Sequence, residues 1–294
     1  MRKICPMPSP VYNNPQKNKR KPMKAILLFL LACLALPLQA QTEADSVTIR
    51  GCVTDFQGLP LDSTTVLWQG NGFRIVAQTL TGKDGRYTIR LPKGKYPSMA
   101  AVNFQRYLHT APAHVAEADK RLEFWGWDFI ADRDTTLDIR YHRMEVYGLR
   151  AFRIPGSVPA YQLFFQPQGL TRMQKAIEEH PELLMAGKDL SKTEQQPLDP
   201  KALYLPLGPA ADRAKITVWI DGEEVKILHK QSVTLYMTDR FCTNAYLLTV
   251  DRPKQDNALP YHVFKVELED LANGDRGEGI YYLEKETYVT GQGN

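Results

Sequence analysis

Two tetrapeptides set a histidine three residues before a glutamate: His114-Val115-Ala116-Glu117 and His142-Arg143-Met144-Glu145. H-x-x-E is a spacing at which zinc peptidases hold two ligands on one metal. Here His114 stands in a stretch without period. His142 and Glu145 stand in an alternating run (Thr135 to Gly148), where residues three apart point to opposite faces of a strand. Neither pair is expected to hold a metal. Glu267, Glu269, Asp270, Asp275 and Glu278 gather around a glycine-bearing turn and offer oxygen ligands of the kind calcium takes. Their spacing is not that of a calcium loop. Glu267 and Glu269 alternate with Val266 and Leu268 and read as the solvated face of an edge strand.

The most ligand-like surface is aromatic. Leu122 to Phe129 reads as a strand with Trp125, Trp127 and Phe129 on one face, a row able to stack a sugar ring or to pack an interface. The long loop 187–213, with Pro197, Pro200, Pro206 and Pro209, is a second candidate for ligand contact. His180, before Pro181, reads as the end of a helix. The sequence holds no G-x-S-x-G, no H-E-x-x-H, no phosphate-binding glycine loop and no dinucleotide fingerprint. No catalytic residue, metal or cofactor is assigned. Cys5 and Cys33 belong to a leader, and no C-x-x-C occurs, so Cys52 and Cys242 read as separate thiols or, alternatively, one bridge.

The elements that must position these residues are strands. Val47, Ile49, Gly51 and Val53 alternate with polar neighbours, as a half-buried strand requires. Phe56-Gln57-Gly58 and Asp84-Gly85 supply turns, and Tyr87, Ile89 and Leu91 then point one way. Gly51, Val53, Asp55, Gly58, Pro60 and Leu61, followed by Asp84, Gly85, Tyr87, Ile89, Leu91, Pro92, Gly94 and Tyr96, resemble the carboxypeptidase regulatory-like domain. The likeness covers about 50 residues. It implies a small transthyretin-like β-sandwich that accompanies enzymes and does not itself carry their zinc. The whole chain also resembles uncharacterised exported proteins of Bacteroidota.

Charge is unevenly spread. Residues 1–40 hold seven basic residues and no acidic ones, and the remaining 30 basic residues face 33 acidic ones. The chain beyond the leader has no electrostatic pull toward nucleic acid. Lys24 precedes AILLFLLACLALPL, and Ala40-Gln41 follows, the pattern of a signal peptide at 23–40 cut between Ala40 and Gln41. The apolar run of 14 residues is short of the ~20 that span a bilayer, and no transmembrane span is expected in the mature chain. Residues 1–22 read as a non-structural extension. A lipid anchor at Cys33 is the less favoured alternative.

The expected architecture is all-β: a signal peptide, then two tandem β-sandwiches. The first (42–140) is transthyretin-like. The second (141–290) is immunoglobulin-like or similar, with one short helix near Leu170 to His180 and a hairpin at Asp221-Gly222. The functional expectation is an exported, non-enzymatic binding or scaffold protein of the periplasm or cell surface, with an envelope protein or glycan as partner. The alternatives are a carbohydrate-recognition accessory module working through aromatic stacking, and a hydrolase whose site has no motif.

Overall fold

Alternating apolar and polar residues commit about half of the described residues to strands. The computed structural model describes residues 45–154, 158–181, 201–238 and 240–286. The leader at 1–40 with its Ala40-Gln41 cut, Cys33, and residues 187–200 of the long loop lie outside the described residues. Six strands come first: β1 (Ser46–Thr54), β2 (Thr65–Gln69), β3 (Ile75–Leu80), β4 (Arg86–Pro92), β5 (Gly94–Val102) and β6 (Phe124–Ala131). Short β7 (Thr135–Thr136) and β8 (Ile139–Arg140) lead to β9 (Met144–Phe152), β10 (Tyr161–Gly169) and helix α1 (Leu170–Glu179). The chain closes with β11 (Leu203–Tyr204), β12 (Ala214–Ile220), β13 (Glu223–Val225), β14 (Ile227–Tyr236), β15 (Phe241–Val250), β16 (Tyr261–Asp270) and β17 (Arg276–Glu284).

A long sheet of eight strands, ordered β13-β12-β16-β17-β6-β5-β2-β3, is the centrepiece. A small sheet of β4, β1, β7 and β8 and a second of β11, β15, β10, β9 and β14 complete the fold. The long sheet has an apolar core on each face. Val66, Trp68, Met99, Phe124, Ile280 and Tyr282 pack with Val47, Ile49 and Leu91 of the small sheet. Trp125, Trp127, Phe264, Val266 and Tyr281 pack with Val146, Leu163, Phe165 and Tyr246 of the other. Successive residues of β17 serve opposite cores, as the period of two requires. The result is an all-β pair of sandwiches with one α-helix among the described residues.

Several motif residues have a visible physical reason. A Cβ at Gly51 would lie 1.9 Å from the Leu137 carbonyl oxygen, so β1 and the 137 backbone meet only because the side chain is absent. Gly85 turns with φ +74, and Asp55 Oδ1 accepts from the backbone N–H groups of Gln57 and Leu59, fixing the first turn. The Tyr87 hydroxyl donates to the Leu137 carbonyl at 2.7 Å.

The chain crosses 140/141 without leaving this arrangement. β17, from the end of the chain, pairs in parallel with β6, which places Gly279 opposite Trp125 and Tyr281 opposite Trp127. β9 passes so close over β17 that a Cβ at Gly277 would lie 1.8 Å from the Met144 carbonyl oxygen. Arg140 of β8 reaches Glu278 of β17 through Nη2 at 2.8 Å and Nε at 3.1 Å, and Glu267 of β16 through Nη2 at 2.8 Å.

Candidate functional site

The three aromatics expected on one face do not share it. Trp125 and Trp127 do: their rings stack at 5.2 Å, and Tyr147 meets both edge-on from β9. Phe129 packs in the opposite core, against Trp68 and Tyr282. The correction has a local cause. Asp128 takes a left-handed φ of +51, which breaks the alternation between Trp127 and Phe129. Trp125 and Trp127 are only 9% and 6% exposed, closed over by Phe73 and by the Arg150 guanidinium 4.9 Å from the Trp127 ring. Their flat faces are spent on packing.

The acidic cluster also differs from its expectation. β16 lies between β12 and β17 and is no edge, and Asp270, Asp275 and Glu278 are buried. Arginines take the charge: Arg172 pairs with Asp270, Arg143 with Asp275, Arg140 with Glu278 and Glu267, and Arg276 with Glu267. Phe56, from the first glycine turn, sits between the guanidinium groups of Arg140 and Arg276, 5.0 and 4.5 Å from its ring centre.

The H-x-x-E residues have other duties. His114 is exposed, and Glu117 pairs with Lys120. His142 is pushed down to about 4 by burial and by the charges of Arg121 and Arg143. Glu145 is buried and couples instead to Glu123. Burial raises both carboxyls, and the charge of Glu123 raises Glu145 further. The thiols of Cys52 in β1 and Cys242 in β15 are free. Among the described residues no three His, Cys, Asp or Glu side chains gather as metal ligands.

Pattern reading missed a pocket of about 480 Å³ formed where the ends of β9 and β17 meet the starts of β10 and β16 and the loop 251–257. Its floor is His262, second residue of β16, only 6% exposed. Asp221 fixes that ring from the β12–β13 turn. Asp221 adopts φ +55 and Gly222 φ +86, the pair of positive values a type I′ turn demands. Turned in this way, Asp221 Oδ1 accepts from the Val263 N–H at 2.8 Å and Oδ2 stands 2.6 Å from His262 Nδ1. A carboxylate oxygen accepts, so the proton between them sits on Nδ1 and Nε2 is left for other partners. Asp256 Oδ1 lies 3.7 Å from Nε2. Tyr161 packs edge-on to the imidazole at 5.6 Å, and burial raises its hydroxyl against the opposing charges of Arg153 and Arg252.

The charges around the mouth are unequally engaged. Lys285 holds Asp256 at 2.6 Å, and Lys95 holds Glu284 at 2.8 Å. The hydrogen bond from Lys285 is the main reason the Asp256 carboxyl is lowered. Glu286 also borders the pocket. Among the described residues the side chains of Arg153, Arg252 and Lys254 form no hydrogen bond or ion pair. Phe152, 40% exposed, adds an aromatic wall.

No family model and no curated protein matches the chain. Its structure is similar to that of a conjectured carbohydrate-binding protein from Bacteroides uniformis, at 10% identity and TM-score 0.24, over 81% of this chain and 99% of that one. It is similar to a DUF3823 family protein from Parabacteroides merdae at 11% identity and TM-score 0.24, over 82% of this chain and 100% of that one. The major pilin subunit BcpA of Bacillus cereus follows at 10% identity and TM-score 0.22, over 81% of this chain and 69% of that one. At such TM-scores none of these likenesses carries a role across. No helix among the described residues is long and apolar enough to cross a membrane.

Proposed function

We propose that this is an exported, non-enzymatic binding or scaffold protein of the cell envelope, acting in the periplasm or at the cell surface. Its ligand seat is the His262 pocket. The observation that carries this reading is the pocket itself: a concavity of ligand size, with a buried, oriented imidazole in its floor and, at its mouth, cationic side chains without a partner among the described residues. The signal-peptide pattern at 23–40 supports export, and the motif residues of 51–96 support a regulatory-like first sandwich. The partner is a glycan or a protein of the envelope. A glycan would be held here and not by stacking on Trp125 and Trp127, whose rings are covered.

A thermal-shift screen of envelope glycans and small acids tests this, run on the wild type and on Pro253→Trp, which fills the mouth of the pocket. Compounds that stabilise the wild type should lose their effect in the variant. Equal stabilisation of both would place the ligand elsewhere. One observation favours a second reading, hydrolysis: Asp221 orients His262 as a carboxylate orients a general base. Turnover of a peptide or glycoside panel that disappears in His262→Gln would establish it.

A further inference from the structure

Resting on the reading of the pocket as the ligand seat, we infer that its ligand carries an acid group, a carboxylate or phosphate, on a body with one apolar face, as in an acidic sugar. Arg153, Arg252 and Lys254 border one cavity, and among the described residues none of their side chains has a hydrogen-bonding or ionic partner, although the backbone N–H groups of Arg252 and Lys254 donate to Asp251 and Glu223. Cations brought together without counter-charge repel one another, and an anion between them relieves that repulsion. The guanidinium fork suits the two oxygens of a carboxylate or phosphate. The acidic neighbours do not fill this role, since Asp256 belongs to Lys285 and Glu284 to Lys95, and Glu286 has an interaction of its own.

The rest of the pocket defines the body of the ligand. Phe152 offers a half-open aromatic surface for the CH face of a ring, and the Tyr161 hydroxyl and His262 Nε2 offer polar contacts to its hydroxyl groups. A bare anion would leave the aromatic wall unused. A neutral sugar would leave the cations unpaired.

Calorimetric titration of the wild type with glucuronate, glucose 6-phosphate and glucose decides the matter, with Arg252→Gln/Lys254→Gln as the second protein. Both residues are exposed, so the double variant should fold, which its melting curve checks. The expected result is binding of at least one acid, at least ten-fold weaker binding of glucose, and at least ten-fold loss in the double variant. Glucuronate alone would mark a carboxylate seat, and glucose 6-phosphate alone a phosphate seat. Glucose binding as tightly as either acid, abolished by Pro253→Trp, would overturn the acid inference and leave the pocket reading intact. Acid binding that survives Pro253→Trp would overturn both. No binding of either acid would overturn the acid inference and leave the pocket to the wider screen.

Discussion

Removing Arg140 tests how the two halves of the chain are joined. Its guanidinium makes three short charge-assisted hydrogen bonds, two to Glu278 and one to Glu267, and lies over the Phe56 ring. Stripping one partner from a fully buried ion pair costs about 3–5 kcal/mol, because the other charge is left without compensation. Two features reduce that here. The Arg140 side chain is 34% exposed, which admits water to the gap, and the Arg140 backbone N–H still donates to Glu278 Oε1 at 2.9 Å in any variant. Glu267 also keeps Arg276. Arg140→Ala is therefore expected to cost about 2–4 kcal/mol at pH 7.5, read from urea melts with an unchanged slope. The pH dependence gives a second, independent sign. Burial raises the Glu278 carboxyl even in the wild type, while Arg140 holds it down. Without Arg140 the folded state binds that proton more tightly still, so stability falls further as pH rises above the ordinary glutamate range. The deficit should be larger at pH 7.5 than at pH 5, and Glu278→Gln in the Arg140→Ala background should recover at least half of it. A cost below about 1 kcal/mol at both pH values, or a deficit that grows toward acid, would mean that Arg140 does not hold the Glu278 charge.

Other outcomes follow from the same geometry. Trp127→Ala should cost about 3–5 kcal/mol as a core truncation; a loss under about 1 kcal/mol in urea melts would mean the ring lies at a free surface. Gly277→Ala sets a methyl into the Met144 carbonyl and should leave little folded protein by circular dichroism, while Gly58→Ala, where nothing lies within 4 Å, should cost only its left-handed φ. Glu145→Gln should raise stability at neutral pH by about 1 kcal/mol, roughly 2–4 °C in Tm. The sign follows from the raised folded value: wild-type stability falls as pH climbs above the ordinary glutamate value of 4.5, and the variant should not share that fall. An unchanged pH profile of Tm would contradict the buried pair.

The strands around Gly51 and Tyr87 were legible because each choice there is local. Alternation sets the faces, and Gly58, Gly85 and Gly222 mark turns whose positive φ only a few residues tolerate. The short helix after Gly169 was legible for the same reason. Two expectations fail, one at a single backbone torsion and one where distant partners decide, and the pocket had little local pattern to show it. Phe129 left the face of Trp127 because Asp128 turns left-handed opposite Pro97, and nothing in a run of aromatics announces that. Glu267 and Glu269 looked solvated because their arginines stand up to 127 residues away, beginning with Arg140. The pocket was hidden for the same reason, since Asp221 and His262 lie 41 residues apart and meet only when β12 and β16 pair. An aspartate at the first position of a D-G turn, able to reach a neighbouring strand, was the one available signal.

On the proposal made above, ligand enters at His262 and not at the tryptophan stack. Nitrogen–proton NMR of the side chains during glucuronate titration reads both places at once. The His262 ring signals should move, saturably, while the indole N–H signals of Trp125 and Trp127 stay where they are. Movement of those two indoles with a silent His262 would contradict it and return the site to the aromatic strand.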